Sequence, residues 1–161
     1  MKNTTSMMMA ATLAIGTLAA GCQTTSITAP VTQPVTSNLL QANDWQLVDA
    51  KDTNGERINS LFIDESKPLT LKFMTVEGNN RVAFINTCNS MGAGYSVTDG
   101  EVNFTQGMST MMACPEPQAS FDAAALATVD GKYSINNNVN NTPILTIKND
   151  SQVAHFKAVS K

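Results

Sequence analysis

The chain has little charge at its beginning, little histidine anywhere, and no basic cluster at all. From Asn3 to Asn43 there is not one Asp, Glu, Lys or Arg. His155 is the single histidine, and with no carboxylate cluster beside it this argues against an ordinary zinc site, which takes three or four close ligands. The ten basic residues are scattered among thirteen acidic ones, which argues against nucleic acid and against anionic lipid headgroups as partners. No apolar run reaches the ~20 residues that a membrane-spanning helix needs. Ser109 does not sit in a G-x-S-x-G elbow, and no glycine loop is built to cradle a phosphate. No catalytic residue, metal ligand set or cofactor is therefore expected, and the protein is not expected to be an enzyme.

What the N-terminus does contain is ordered. Met1-Lys2 supplies the only positive charges, and an apolar stretch follows from Met7 to Ala20. Small residues close it at Ala19-Ala20-Gly21, so it reads as a secretory signal peptide. The segment Leu18-Ala19-Ala20-Gly21-Cys22 resembles the lipobox of bacterial lipoproteins, in which the cysteine is acylated and becomes the first residue. Residues 1–21 are thus expected to be removed and Cys22 to carry lipid. Residues 22–43 hold Pro30, Pro34 and many threonines but few bulky side chains apart from Leu39 and Leu40. Such a stretch buries too little apolar surface to offset its entropy and is expected to be a flexible tether. Gln23 after the cysteine resembles the second residue of lipoproteins sorted to an outer membrane. The expected location is the cell envelope, lipid-anchored in an outer membrane and facing the periplasm.

Residues 44–161 remain for one folded domain, long enough to build its own core. Once Cys22 is lipidated, Cys88 and Cys114 are left in an oxidising compartment, where thiols tend to pair. The competing reading makes one of them a nucleophile with His155 as its base. An exported cysteine with a single available partner is far more often structural.

Along the domain the signals are for strands. Trp45-Gln46-Leu47-Val48 opens it, and Leu69, Leu71 and Phe73 alternate with polar or flexible residues at a period of two. Glu77-Gly78-Asn79-Asn80 turns the chain into Arg81–Ile85. Asp99-Gly100 between Tyr95–Val97 and Val102–Phe104 is a strong hairpin signal, because both turn positions need positive φ. A further strand is expected over Met108–Ala113, and three more over Lys132–Ile135, Ile144–Lys148 and Val153–Val159. Phe121, Ala124, Ala125, Leu126 and Val129 are spaced for one face of a helix, with Pro117 in its first turn and Gly131 at its end. The expected fold is mainly β: a small antiparallel barrel-like domain of about eight strands, with one α-helix inserted before the last three.

Two cysteine-centred segments carry a family resemblance. Thr87-Cys88-Asn89-Ser90-Met91-Gly92-Ala93-Gly94-Tyr95 is similar to a signature of the META domain family, which includes the heat-inducible HslJ-like lipoproteins. Ser109-Thr110-Met111-Met112-Ala113-Cys114 is similar to its second signature. Ala93 departs from the glycine usual in the family. The resemblance implies a small β-barrel-like fold and gives Asn89, Gly94, Tyr95, Thr110, Met111 and Ala113 a structural role or a place on a ligand rim. It also implies envelope stress, secretion or antibiotic tolerance, novobiocin in particular, without a catalytic mechanism.

Methionine is the one oddity, with Met91, Met108, Met111 and Met112 near the two cysteines in sequence. Thioethers can hold copper(I), but they are also adaptable core fillers. In a strand Met111 and Met112 would face opposite sides and share no site, so core packing is expected. The function expected is binding, with an envelope protein or a small apolar molecule as partner beside the lipid-anchored membrane. The alternatives are a redox or copper-binding protein that uses the cysteines and methionines, and a structural tether.

Overall fold

A computed structural model describes residues 34–161. The expected signal peptide, the lipidated Cys22 and most of the tether lie outside the described residues. The elements are a short helix α1 (Ser37–Gln41), strands β1 (Asp44–Asp52), β2 (Thr70–Val76), β3 (Asn79–Ile85), β4 (Met91–Thr98) and β5 (Glu101–Ser109), helix α2 (Gln118–Val129), and strands β6 (Lys132–Asn137), β7 (Pro143–Lys148) and β8 (Gln152–Val159).

All eight strands belong to one sheet in the order β5-β4-β3-β2-β1-β8-β7-β6, and every pairing is antiparallel. The expected mainly-β, barrel-like fold with one helix before the last three strands is what forms. Alternation decides which face turns inward. Leu71 and Phe73 of β2, Val82 and Phe84 of β3, Leu145 and Ile147 of β7, and Ala154 and Phe156 of β8 are all buried in the core. The β1–β8 register slips between Leu47 and Asp49, leaving Val48 as the extra residue of a bulge and 44% exposed. The slip restores the phase, so that Trp45, Leu47 and Ala50 all point inward.

Two hairpins follow from turn chemistry. Glu77-Gly78 and Asp99-Gly100 adopt positive φ at both central positions, which matches the twist of the flanking strands. The sheet does not close on itself by hydrogen bonds, since β5 and β6 are its two ends. Phe104 of β5 and Tyr133 of β6 bridge that seam, with ring centroids 5.8 Å apart. Helix α2 spans the connection between the same two strands. It buries Phe121, Asp122, Ala125, Thr128 and Val129, but Leu126, expected on its apolar face, is 56% exposed.

Two expectations need correction. The strand expected over Met108–Ala113 does not exist as a separate element: β5 runs through Met108 and ends at Ser109. Residues 110–114 form an irregular segment whose hydrogen bonds go to the Cys88 loop and not to a ladder. The tether, expected to run to Asn43, also stops early. Val35 and Leu40 are buried, and the Trp45 indole donates to the Leu40 carbonyl at 2.8 Å. Gln41 Nε2 donates to Tyr95 Oη at 2.8 Å and to Asn80 Oδ1 at 3.0 Å. A polar, proline-containing stretch hid two apolar anchors and a set of partners supplied from far along the chain.

Candidate functional site

Two features converge at one end of the barrel, a covalent knot and an open cleft beside it. The knot begins with the expected disulfide, Cys88–Cys114, which joins residues 26 apart in sequence across a Cα–Cα distance of 6.2 Å. Its organiser is a residue that sequence reasoning passed over. Asp122, in the second turn of α2 and only 7% exposed, accepts the Cys88 N–H at 2.9 Å on one carboxylate oxygen. The other oxygen accepts the Asn89 N–H at 2.8 Å and Asn89 Nδ2 at 3.1 Å. Asn89 in turn faces the 110–114 segment. Its Oδ1 accepts the Thr110 hydroxyl at 3.1 Å and the Met112 N–H at 2.8 Å. One carboxylate and one carboxamide thus tie the loop before β4, the segment after β5 and helix α2 together.

The remaining motif residues divide by role. Thr110 belongs to the knot, through Asn89 and through the Ser90 N–H that its hydroxyl accepts at 3.0 Å. Gly94 answers a close approach: a Cβ there would collide with Thr105 Oγ1. The β4–β5 register shifts beside it, with two β5 residues opposite one of β4. Tyr95 is a core residue, 4% exposed, edge-on to Phe73 with centroids 5.1 Å apart. Burial raises its phenol pKa, and the bonds from Gln41 and Ser37 oppose that rise. Met111 and Ala113 are exposed.

The methionines are not core fillers as a group. Met91 is buried, but Met108 is 59%, Met112 56% and Met111 99% exposed. With residues 110–114 out of the sheet, no alternation turns Met111 and Met112 inward, and Met108 lies near the end of β5 on its exposed side. Cys88, Cys114 and Asp122 form the one cluster of potential metal donors among the described residues. In the oxidised knot both sulfurs are bonded to each other and the carboxylate is taken by N–H donors, so the set offers no thiolate. His155 is not aligned with the cysteines as a base. It sits half-buried on β8, with Nδ1 3.0 Å from Thr146 Oγ1.

The cleft opens beside the knot, along the seam, and encloses about 850 Å³. One wall is α2, through Ala123, Leu126, Ala127 and Val129, and the other is β4–β5, through Met91, Phe104 and Met108. Asp130, Asn149, Asp150 and Ser151 line one end. Side chains fix the wall at the C-terminal end of α2. Asn149 Nδ2 donates to the Ala127 and Asp130 carbonyls at 3.0 and 2.8 Å. The Tyr133 hydroxyl donates to the Val129 carbonyl at 2.7 Å. Deeper in, Gln152 Nε2 donates to Thr128 Oγ1 at 2.8 Å. The knot at one end of α2 and these bonds at the other fasten the helix wall to the barrel at both ends.

The model of the META domain matches residues 38–160. The chain belongs to the META domain family. Its matched span begins inside α1, in agreement with the packing of Leu40 into the core. Among solved structures, this META domain is similar to a protein from Burkholderia xenovorans whose structure was determined by NMR. The TM-score is 0.61 at 22% identity, covering 80% of this chain and 90% of that one. A second NMR structure is similar with a TM-score of 0.50 at 20% identity, covering 77% of this chain and 95% of that one. At these identities the likeness is one of fold. No curated protein matches the chain.

Proposed function

We propose that this META domain is a non-enzymatic binding module, which takes a small, largely apolar molecule into the seam cleft. The observation that carries this reading is the cleft itself. Its volume falls in the ~300–1,000 Å³ range of small-molecule sites, and its walls bring Phe104, Met91, Met108, Leu126 and Val129 together. Two of these, Met108 and Leu126, are large apolar side chains more than half exposed at the cleft. Exposed apolar residues gathered around a concavity are a mark of binding surfaces. Among the described residues that line it, the Ser109 and Ser151 hydroxyls bond a backbone carbonyl and the Asn149 side chain and not a base, which favours binding over catalysis.

The setting we propose is the cell envelope, with the domain lipid-anchored through Cys22 and tethered by the segment before residue 34. The role that fits is tolerance of envelope stress or of antibiotics, by sequestering or sensing an apolar compound. The test fills the cleft. Ala127 is exposed and lines it, so Ala127→Trp adds bulk to the cavity without disturbing the core. Binding of a neutral apolar probe, N-phenyl-1-naphthylamine, is measured by calorimetry on the full chain. Micromolar binding to the wild type, lost at least tenfold in the variant with thermal stability unchanged, is the expected result. Equal binding by both proteins, or by neither, would overturn the reading.

A further inference from the structure

The cleft has a sign as well as a shape. Resting on the binding reading above, we infer that its ligand is a cationic amphiphile, an apolar body carrying an amine or other positive group, and not a fatty acid or other anion. Asp130 and Asp150 line the cleft at its polar end, and no Lys, Arg or His lines it among the described residues. The nearest basic residues in sequence, Lys132 and Lys148, lie opposite each other on β6 and β7. Both are exposed and neither lines the cleft.

Helix α2 adds to the bias independently. It runs for twelve residues and ends at Val129, so its carboxyl end, the negative end of its dipole, is what reaches the cleft beside Asp130. The groups that cap this end, Asn149 Nδ2 and the Tyr133 hydroxyl, satisfy three of its carbonyls but are neutral, so they bring no positive charge to answer the two carboxylates. Meanwhile Phe104, Met91 and Leu126 offer an apolar wall against which an alkyl or aromatic body can lie. An aromatic face such as that of Phe104 attracts a positive group. An anion of the same size would meet two carboxylates and a helix carboxyl end, with no cation to answer it.

The test uses three probes that share one chain and differ in head group: decylammonium, decanol and decanoate. Each competes at neutral pH with N-phenyl-1-naphthylamine on the full chain. Because both carboxylates are exposed, the preference is modest: decylammonium should bind about three- to tenfold more tightly than decanol, with decanoate weakest. The double variant Asp130→Asn and Asp150→Asn should erase that order, and added salt should compress it. If all three compete equally, or decanoate competes best, the charge inference is wrong while the binding reading stands. If none competes and Ala127→Trp changes nothing, the cleft is not a binding site and both fall.

Discussion

Asp122 makes the sharpest quantitative demand on the structure. Removing its carboxylate by Asp122→Ala strands the Cys88 and Asn89 N–H groups and one N–H of the Asn89 carboxamide. A hydrogen bond to a charged partner contributes about 1.5–3 kcal/mol, and a buried donor left without a partner costs about 1–3 kcal/mol. Cys88 and Asn89 are only half-buried, so water can replace part of what is lost. A net destabilisation of about 2–4 kcal/mol follows, which in a domain of this size lowers the Tm by roughly 8–16 °C. Asp122→Asn keeps one acceptor oxygen but turns an NH2 group towards a donor, and should cost about half as much. Urea unfolding reads the effect through Trp45, the single tryptophan, which is 1% exposed in the native state. The midpoint should fall with the slope unchanged. Repeating the substitution alongside Cys88→Ser and Cys114→Ser completes a cycle that measures how far carboxylate and disulfide support each other. A loss below about 1 kcal/mol with the disulfide intact would refute the reasoning, because the covalent bond alone would then hold the three segments.

Replacing both cysteines by serine should destabilise the domain by about 3–4 kcal/mol, as expected for opening a loop of this length, without changing its circular dichroism. Leu40→Ala should cost about 2–4 kcal/mol, because Leu40 is fully buried beneath Trp45; a loss near zero in the same urea assay would return residues 35–41 to the tether. Stability should also fall in alkali. Burial holds the Tyr133 phenol well above its ordinary value of 10.0, with Asp130 adding to the rise. The neutral phenol therefore stabilises the fold fully below pH ~10, and this contribution is lost as rising pH ionises the unfolded chain and then approaches the folded pKa. Tyr133→Phe should lose about 1 kcal/mol at neutral pH, from the bond to the Val129 carbonyl, yet show a shallower alkaline decline.

The parts of this domain that were legible in its sequence are those decided locally. Asp99-Gly100 declares its hairpin because few residue pairs tolerate two positive φ values, and β2, β7 and β8 declare themselves by alternation. Phe121, Ala125 and Val129 mark the buried face of α2. The two cysteines pointed to their bridge because only one pairing was available. What escaped was decided at a distance. Asp122 looks like one more helix polar residue, and only the backbone donors 33 and 34 residues earlier give it meaning. Leu40 was discounted because the stretch around it is rich in threonine, proline and asparagine; Trp45, which bonds its carbonyl, and Tyr95, which bonds the adjacent Gln41, lie on strands. The methionines misled for the opposite reason. Placed in a strand, Met111 and Met112 were expected to pack as core fillers, but residues 110–114 follow the hydrogen bonds of Asn89 and leave Met111 in solvent. The cleft was invisible for the same cause, being a space left between elements that never meet in sequence.

The place where the chain enters the domain has a bearing on orientation. Val35 lies beside the turn at Gly100, at the start of β5, whereas the knot follows the end of that strand at Ser109. Nine residues of strand separate the two ends, a distance of about 30 Å. The described chain therefore enters the domain at one pole. The disulfide and the end of the cleft beside it lie at the opposite pole, so the anchoring we propose would leave them facing outward like the head of a leashed probe.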